Sequence, residues 1–119
     1  MRYLGIDTPE VRRRRGERWV HEPEPFGEQA TEANRRLVER KTVRLEYDVQ
    51  TRDRFGRLLA YVYVTGDGSG AGEIFVNEEL LRRGYAQPLT VPPNAKHAEQ
   101  FRAIAEEARH AGRGLWGDR

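Results

Sequence analysis

Arg2, Asp7, Thr8 and Glu10 place a guanidinium and two carboxylates around a stiff turn in the run Arg2-Tyr3-Leu4-Gly5-Ile6-Asp7-Thr8-Pro9-Glu10. That combination suits chemistry on a phosphate. Pro9 fixes its own φ, donates no backbone hydrogen bond and pushes Thr8 toward extended geometry, so the strand-like run ending at Ile6 must turn there. Asp7 and Glu10 lie three residues apart across the corner and can point to one side. An oxygen-favouring divalent ion could take Asp7 and the Thr8 carbonyl there, leaving Glu10 to orient water. Asp7-Thr8-Pro9-Glu10 is also an ordinary way to leave a strand and open a solvated loop. On a flat strand Arg2 and Asp7, five apart, would face opposite sides. They converge only if the strand bends, and Gly5 between them is where a bulge or bend is expected.

The 119 residues allow one domain with a modest core. Charged residues make up 34% of the chain, but 21 basic against 19 acidic leave a net charge of only +2. Bulk charge therefore does not mark a nucleic-acid binder, and the local placement of arginine has to carry that case. With no cysteine, disulfides and thiolate metal sites are excluded. No apolar run approaches the roughly 20 residues that span a bilayer. The N-terminus shows no hydrophobic signal region, so no membrane partner is expected and no localisation is assigned.

The elements that must position the corner follow from periodicity. Residues 11 to 25, with Arg12-Arg13-Arg14-Arg15 and the Pro23/Pro25 pair, lack apolar alternation and are expected to form a long surface loop. Its arginines could touch a phosphate backbone or simply be solvated; its Trp19 could stack on a base or pack on the domain. Phe26, Ala30, Ala33 and Leu37 form one apolar stripe and predict a helix over about 26 to 40. Val43, Leu45 and Tyr47 alternate with Arg44, Glu46 and Asp48 as in a half-buried strand. After a charged turn at Thr51 to Gly56, Leu58 to Val64 read as a central strand completing a hairpin. A short strand from Glu73 to Val76 and a short helix capped by Asn77 and ended by Gly84 come next. Pro88, Pro92 and Pro93 stiffen a connection to a last helix capped by Asn94, whose stripe Ala98, Phe101, Ala105 and Ala108 ends at Gly112. Leu115-Trp116 should dock on the core. His21 and His97, with no partner at metal-ligand spacing, read as surface residues.

In this order the elements resemble the staphylococcal nuclease (thermonuclease) family over nearly the whole chain. The motifs that carry the resemblance are Asp7-Thr8-Pro9-Glu10, Phe26-Gly27-Glu28-Gln29-Ala30, and Asp53-Arg54-Phe55-Gly56-Arg57 leading into Leu59-Ala60-Tyr61-Val62-Tyr63. Val76-Asn77-Glu78 with Arg83-Gly84, Pro93-Asn94, and Gly114-Leu115-Trp116 complete the set. The resemblance implies a mainly β, α+β fold: an OB-type five-stranded barrel carrying three helices. It also implies a Ca²⁺-dependent nuclease, an endonuclease-type phosphodiesterase acting on single- or double-stranded DNA and on RNA. By position, Arg2 and Arg57 match the family's catalytic arginines and Glu10 its catalytic glutamate. Asp7 matches a calcium-ligating aspartate, Thr8 the residue lending a carbonyl, and Arg54 and Phe55 a basic and an aromatic residue near the nucleotide phosphate. Family members are often secreted.

Two departures from the family pattern carry expectations of their own. The family places a β-hairpin, with a second calcium-ligating aspartate, before the strand that begins here at Arg2. The single domain 1–119 is therefore expected to be N-terminally shortened, with an open barrel edge that invites self-association or strand exchange and a thin metal shell. The family's nucleotide-stacking tyrosines align with Leu89 and Val91, which should weaken base stacking by about 1 to 3 kcal/mol per base. A non-catalytic nucleic-acid-binding OB module is the alternative function; a protein-interaction module on the same fold is a third.

Overall fold

The computed structural model describes residues 1–9, 26–65 and 72–117 with their side chains, and the backbone of residues 12–15 and 18–21. The chain enters through β1 (Arg2–Tyr3) and β2 (Ile6–Asp7), followed by β3 (Arg12–Arg15) and β4 (Arg18–His21). Then come α1 (Gly27–Val38), β5 (Val43–Glu46), β6 (Leu59–Val64), β7 (Ile74–Phe75) and α2 (Val76–Arg82). Strand β8 (Gln87–Pro88), α3 (Ala98–Ala111) and a 3-10 turn at Gly114–Trp116 complete the chain.

Strand β6 is the hub, as its continuous apolar run predicts. Antiparallel β5 lies along one side, with Val43 opposite Val64 and Glu46 opposite Tyr61. The other side takes parallel β1 at one end, Arg2 opposite Leu59, and antiparallel β7 at the other. Strand β2 leaves this sheet to pair with β8. Three helices on a mixed, strongly bent set of strands fit the OB-type α+β arrangement that the resemblance implies, but the described strands do not close a barrel. The core gathers Leu4, Ile6, Leu37, Tyr61, Val62, Val64, Val76, Leu80, Leu81 and Phe101. Each such large apolar side chain contributes about 1.5 to 3 kcal/mol by leaving water.

Helices α1 and α3 bury most of the stripes read from their periodicity, Ala30, Ala33 and Leu37 in one and Phe101, Ala105 and Ala108 in the other, while Phe26, the left-handed N-cap of α1, and Ala98 are only partly buried. Gly112, with φ 67°, closes α3. The Leu115 N–H donates to the Gly84 carbonyl at 2.8 Å and its side chain is buried, so the tail docks as expected.

Several local expectations are corrected by long-range contacts. Residues 12–15 and 18–21 form an antiparallel hairpin where a loop was expected; strand pairing needs backbone groups alone, and a run of arginines carries no apolar period to betray it. Asn77 does not cap α2, whose N-cap is Phe75. Its fully buried amide accepts from the Val62 N–H at 2.9 Å and donates to the Leu4 carbonyl at 2.8 Å, tying β6 to the β1–β2 bend. Nor does Asn94 cap α3, which starts after His97; the buried Asn94 side chain accepts from the Gln50 N–H and donates to the Gln50 carbonyl. In β5 only Leu45 of the expected inward set packs on the core, while Val43 and Tyr47 are exposed because β5 is an outer strand among the described residues. His97 is not a free surface residue. Its Nε2 lies 2.8 Å from Glu46 Oε1, and its ring stacks on Phe101.

Candidate active site

The bend at Gly5 builds the site. Gly5 takes φ +79°, and a Cβ there would stand 2.5 Å from the Phe101 ring, so both the backbone conformation and the packing demand glycine. Before it Arg2 is laddered to β6, its N–H donating to the Leu58 carbonyl at 2.7 Å; after it Asp7 pairs with Gln87 of β8. The strand parity that would separate Arg2 from Asp7 is thereby broken, and the two residues line one hollow of about 300 Å³ with Thr8 and Arg57. Asp7 is exposed and Thr8 half-buried. Thr31 and Asn34 of α1 form the far wall, and the Tyr3 hydroxyl donates to Asn34 Oδ1 at 2.8 Å. Burial raises the Tyr3 pKa above its ordinary value, against the smaller lowering effect of that hydrogen bond.

A second hollow of about 210 Å³ adjoins the first, and Arg2 and Arg57 line both. Its walls bring in Gln50, Asp53, Arg54, Phe55, Leu89, Val91 and Asn94. Phe55 is 69% exposed, with the Arg54 guanidinium carbon 4.8 Å and that of Arg57 5.5 Å from its ring centroid, a cation–π cluster open to solvent. Leu89 and Val91 offer aliphatic faces across the hollow.

Arg57 is held by the turn that precedes it. Asp53 Oδ1 accepts from the N–H groups of Phe55 (2.9 Å) and Arg57 (3.0 Å), while Oδ2 meets Arg57 Nε at 2.7 Å. Burial alone would raise the Asp53 carboxyl; the Arg57 N–H and guanidinium, with the Phe55 N–H, outweigh it and hold the pKa below its ordinary value. The loop feeding this turn is fixed in its own right by the clamp of Asn94 on Gln50 and by Arg52 Nη1 donating to the Gly56 carbonyl at 2.7 Å.

Of the residues singled out in the sequence, Arg2, Asp7, Thr8 and Arg57 come together at the first hollow, and Arg54 and Phe55 at the second. Glu10 lies outside the described residues. The sequence reading missed Asn34, Thr31, Asp53 and Asn94. Asp53 had a local signal, an Asx residue two and four places before turn N–H groups it could accept from; Asn94, whose partner is 44 residues away, had none.

An oxygen-bound divalent ion fits the first hollow in kind. Asp7 and the Thr8 carbonyl are hard oxygen donors at an open corner, and calcium's remaining places among six to eight would fall to water and phosphate oxygens. No cluster of three acidic or histidine side chains able to hold a metal occurs among the described residues.

The family model described as "Staphylococcal nuclease homologue" matches residues 1–118. Among curated relatives, the chain is 38% identical over 118 residues to endonuclease YncB of Bacillus subtilis (strain 168). That match covers 98% of this chain and 50% of the relative. It is also 38% identical to the SPbeta prophage-derived endonuclease YokF of the same organism, over 98% of this chain and 36% of that protein. With the thermonuclease of Staphylococcus hyicus it shares 32% identity, over 98% of this chain and 62% of the relative. The chain thus spans between about one third and two thirds of the length of these relatives. A bent strand carrying Arg2 and Asp7, a turn holding Arg57 beside them and a family match over almost every residue lead to one assignment: the chain belongs to the staphylococcal nuclease homologue family.

Proposed function

We propose that this chain is a nuclease domain that hydrolyses phosphodiester bonds of DNA and RNA with the help of Ca²⁺. The observation that carries the reading is the shared position of Arg2 and Arg57. They come from different elements, β1 and the turn before β6, yet both line the two adjoining hollows. A phosphodiester seated at that junction meets guanidinium groups on the side of the polar corner, and its nucleoside can extend along Phe55, Leu89 and Val91. The endonuclease and thermonuclease names of the relatives support the same reading.

Attack of water on the phosphorus forms a new P–O bond as the bond to the leaving sugar oxygen breaks, and negative charge accumulates on the non-bridging oxygens. Planar guanidinium forks hold those oxygens in bidentate geometry better than lysine could, and gain most where charge grows in the transition state. Arg57 is held by Asp53, so its guanidinium is already ordered when the phosphate arrives, while the backbone hydrogen bond of Arg2 to Leu58 fixes the strand that carries Arg2 to the same junction. Glu10 is assigned to take the proton of the attacking water or to position that water, worth about 10²- to 10⁴-fold. Asp7 and the Thr8 carbonyl would hold the calcium ion, which when bound adds positive charge beside the phosphate oxygens. Arg54 and Phe55 contact the flanking nucleotide. Leu89 and Val91 give weaker stacking than aromatic residues would, so affinity rests more on phosphate than on base.

The test is cleavage of single-stranded DNA and of RNA with Ca²⁺ against chelator, with Glu10→Gln as control. Calcium-dependent cleavage that falls at least about 10²-fold in the variant is expected. Equal cleavage by the variant, or none by the folded chain in any Ca²⁺ concentration, contradicts the proposal.

A further inference from the structure

The β3–β4 hairpin takes no part in the chemistry above. Its register sets Arg12 opposite His21, Arg13 opposite Val20, Arg14 opposite Trp19 and Arg15 opposite Arg18. Directly opposed residues of an antiparallel pair share a face, and faces alternate along each strand. One face therefore carries Arg12, Arg14, Trp19 and His21, and the other Arg13, Arg15, Arg18 and Val20. Five arginines occupy eight register positions that hold no Asp or Glu.

On the helices several arginines sit beside carboxylates. On α1 Arg35 meets Glu32 and Glu39, on α2 Arg82 meets Glu78 and Glu79, and on α3 Arg109 meets Glu106, all at helical spacing. Arg15 directly opposite Arg18 is repulsive, two-stranded hairpins are marginally stable on their own, and β3–β4 pairs with no third strand among the described residues. A polyanion laid along the ribbon removes the repulsion and adds favourable charge pairing.

The ribbon's place in the chain says which polyanion. Arg12 is three residues beyond Pro9, so its Cα lies within about 11 Å of Pro9, which ends the corner that carries Asp7 and Thr8. Four residue pairs make a ribbon about 13 Å long, matching about four nucleotides of one strand at 3.4 Å rise each. We infer that β3–β4 is a second nucleic-acid-binding element, an arm that engages backbone phosphates next to the bond being cleaved. The inference rests on the nuclease reading for the identity of its ligand. Arginines on both faces with one tryptophan are the residue set of sequence-tolerant binding to unpaired strands, whereas a β-ribbon also fits a duplex major groove. The shared chemistry is the phosphodiester backbone.

The test measures binding in EDTA, without cleavage, using a labelled oligodeoxythymidine and a duplex hairpin oligonucleotide over a series of salt concentrations. Replacing Arg13, Arg15 and Arg18 by Ser should lower the slope of log K against log salt by about 0.7 for each phosphate no longer neutralised on the single strand, or about 0.9 on the duplex. Whichever probe shows the larger change identifies the strand form the arm takes. Replacing the same three by Lys should preserve the slope, and Arg109→Ser, a charge removal on α3, should leave it untouched. A second readout leaves the ribbon intact: the chain has two tryptophans, so in a Trp116→Phe background the fluorescence of Trp19 should change on saturation with oligonucleotide. Unchanged slopes in the folded Ser variant, an equal slope decrease with Arg109→Ser, or silent Trp19 fluorescence each overturn the arm. If cleavage instead proves absent while these slopes fall as stated, the nuclease reading fails and the binding arm stands.

Discussion

Asp53 grips Arg57 twice, accepting its backbone N–H at 3.0 Å through one carboxylate oxygen and its Nε at 2.7 Å through the other. One side chain thus fixes both the backbone of the turn before β6 and the guanidinium of Arg57. Asp53 is a positioning residue on this geometry. Asp53→Ala should lower the rate constant for DNA cleavage by up to about 10²-fold, the reduction expected when a phosphate-binding group is misplaced by about 1 Å. In an Arg57→Ala background the same change should matter far less, because the two act as a unit. Steady-state kinetics of both single variants and the double variant check this; additive effects would separate Asp53 from Arg57.

Gly5→Ala should destabilise the fold by about 2 to 5 kcal/mol, combining a left-handed backbone that L-residues resist with overpacking against Phe101. Urea unfolding reads the change directly.

Asn77→Ala strips partners from two buried backbone groups, the Val62 N–H and the Leu4 carbonyl. A destabilisation of about 2 to 4 kcal/mol is expected in denaturant unfolding, since each unsatisfied group costs about 1 to 3 kcal/mol. Asn77→Asp keeps the acceptor for Val62 and removes the donor to Leu4, placing a carboxylate against a carbonyl, so it should not rescue stability.

Stability should fall in acid through Glu46. Burial pushes its carboxyl up, but hydrogen bonds from Lys96 Nζ, His97 and the Tyr63 hydroxyl outweigh burial and hold the pKa at about 2, against an ordinary 4.5. A depressed folded-state pKa means that this contribution is complete above pH 4.5 and is lost as the pH falls toward 2. Asp48, which accepts from the Tyr61 hydroxyl and the Lys96 N–H, is also lowered and acts in the same direction. Glu46→Gln should be less stable than the parent at neutral pH and show a shallower decline between those limits. Unfolding midpoints measured across that range test it; parallel pH profiles would remove Glu46 from the acid response.

What the sequence made legible was local. Apolar spacing located the buried faces of α1 and α3, and the continuous run from Leu59 to Val64 marked the hub strand. Gly5, between Arg2 and Asp7, marked the bend that lets both reach one hollow. The misreadings share a physical cause. Asn77 and Asn94 have the residue type and placement of helix caps, but their amides are satisfied by backbone groups 73 and 44 positions away. His97 looked solvent-facing because its partner Glu46 lies 51 positions away on β5. The pairing of residues 12–15 with 18–21 rests on ladder hydrogen bonds, which leave no trace in hydrophobic period. Core stripes and bends are written in neighbouring residues; polar staples are written only in the tertiary fold.

The central claim is that Arg2 and Arg57 act together on one phosphate, and the most direct measurement is calcium-dependent cleavage of single-stranded DNA by Arg2→Ala, Arg57→Ala and the double variant. By analogy with arginines that stabilise phosphoryl-transfer transition states, each single change should lower the rate by roughly 10³- to 10⁵-fold, and the double variant should fall by much less than the product of the two. Cleavage at the parental rate by either single variant would contradict the account.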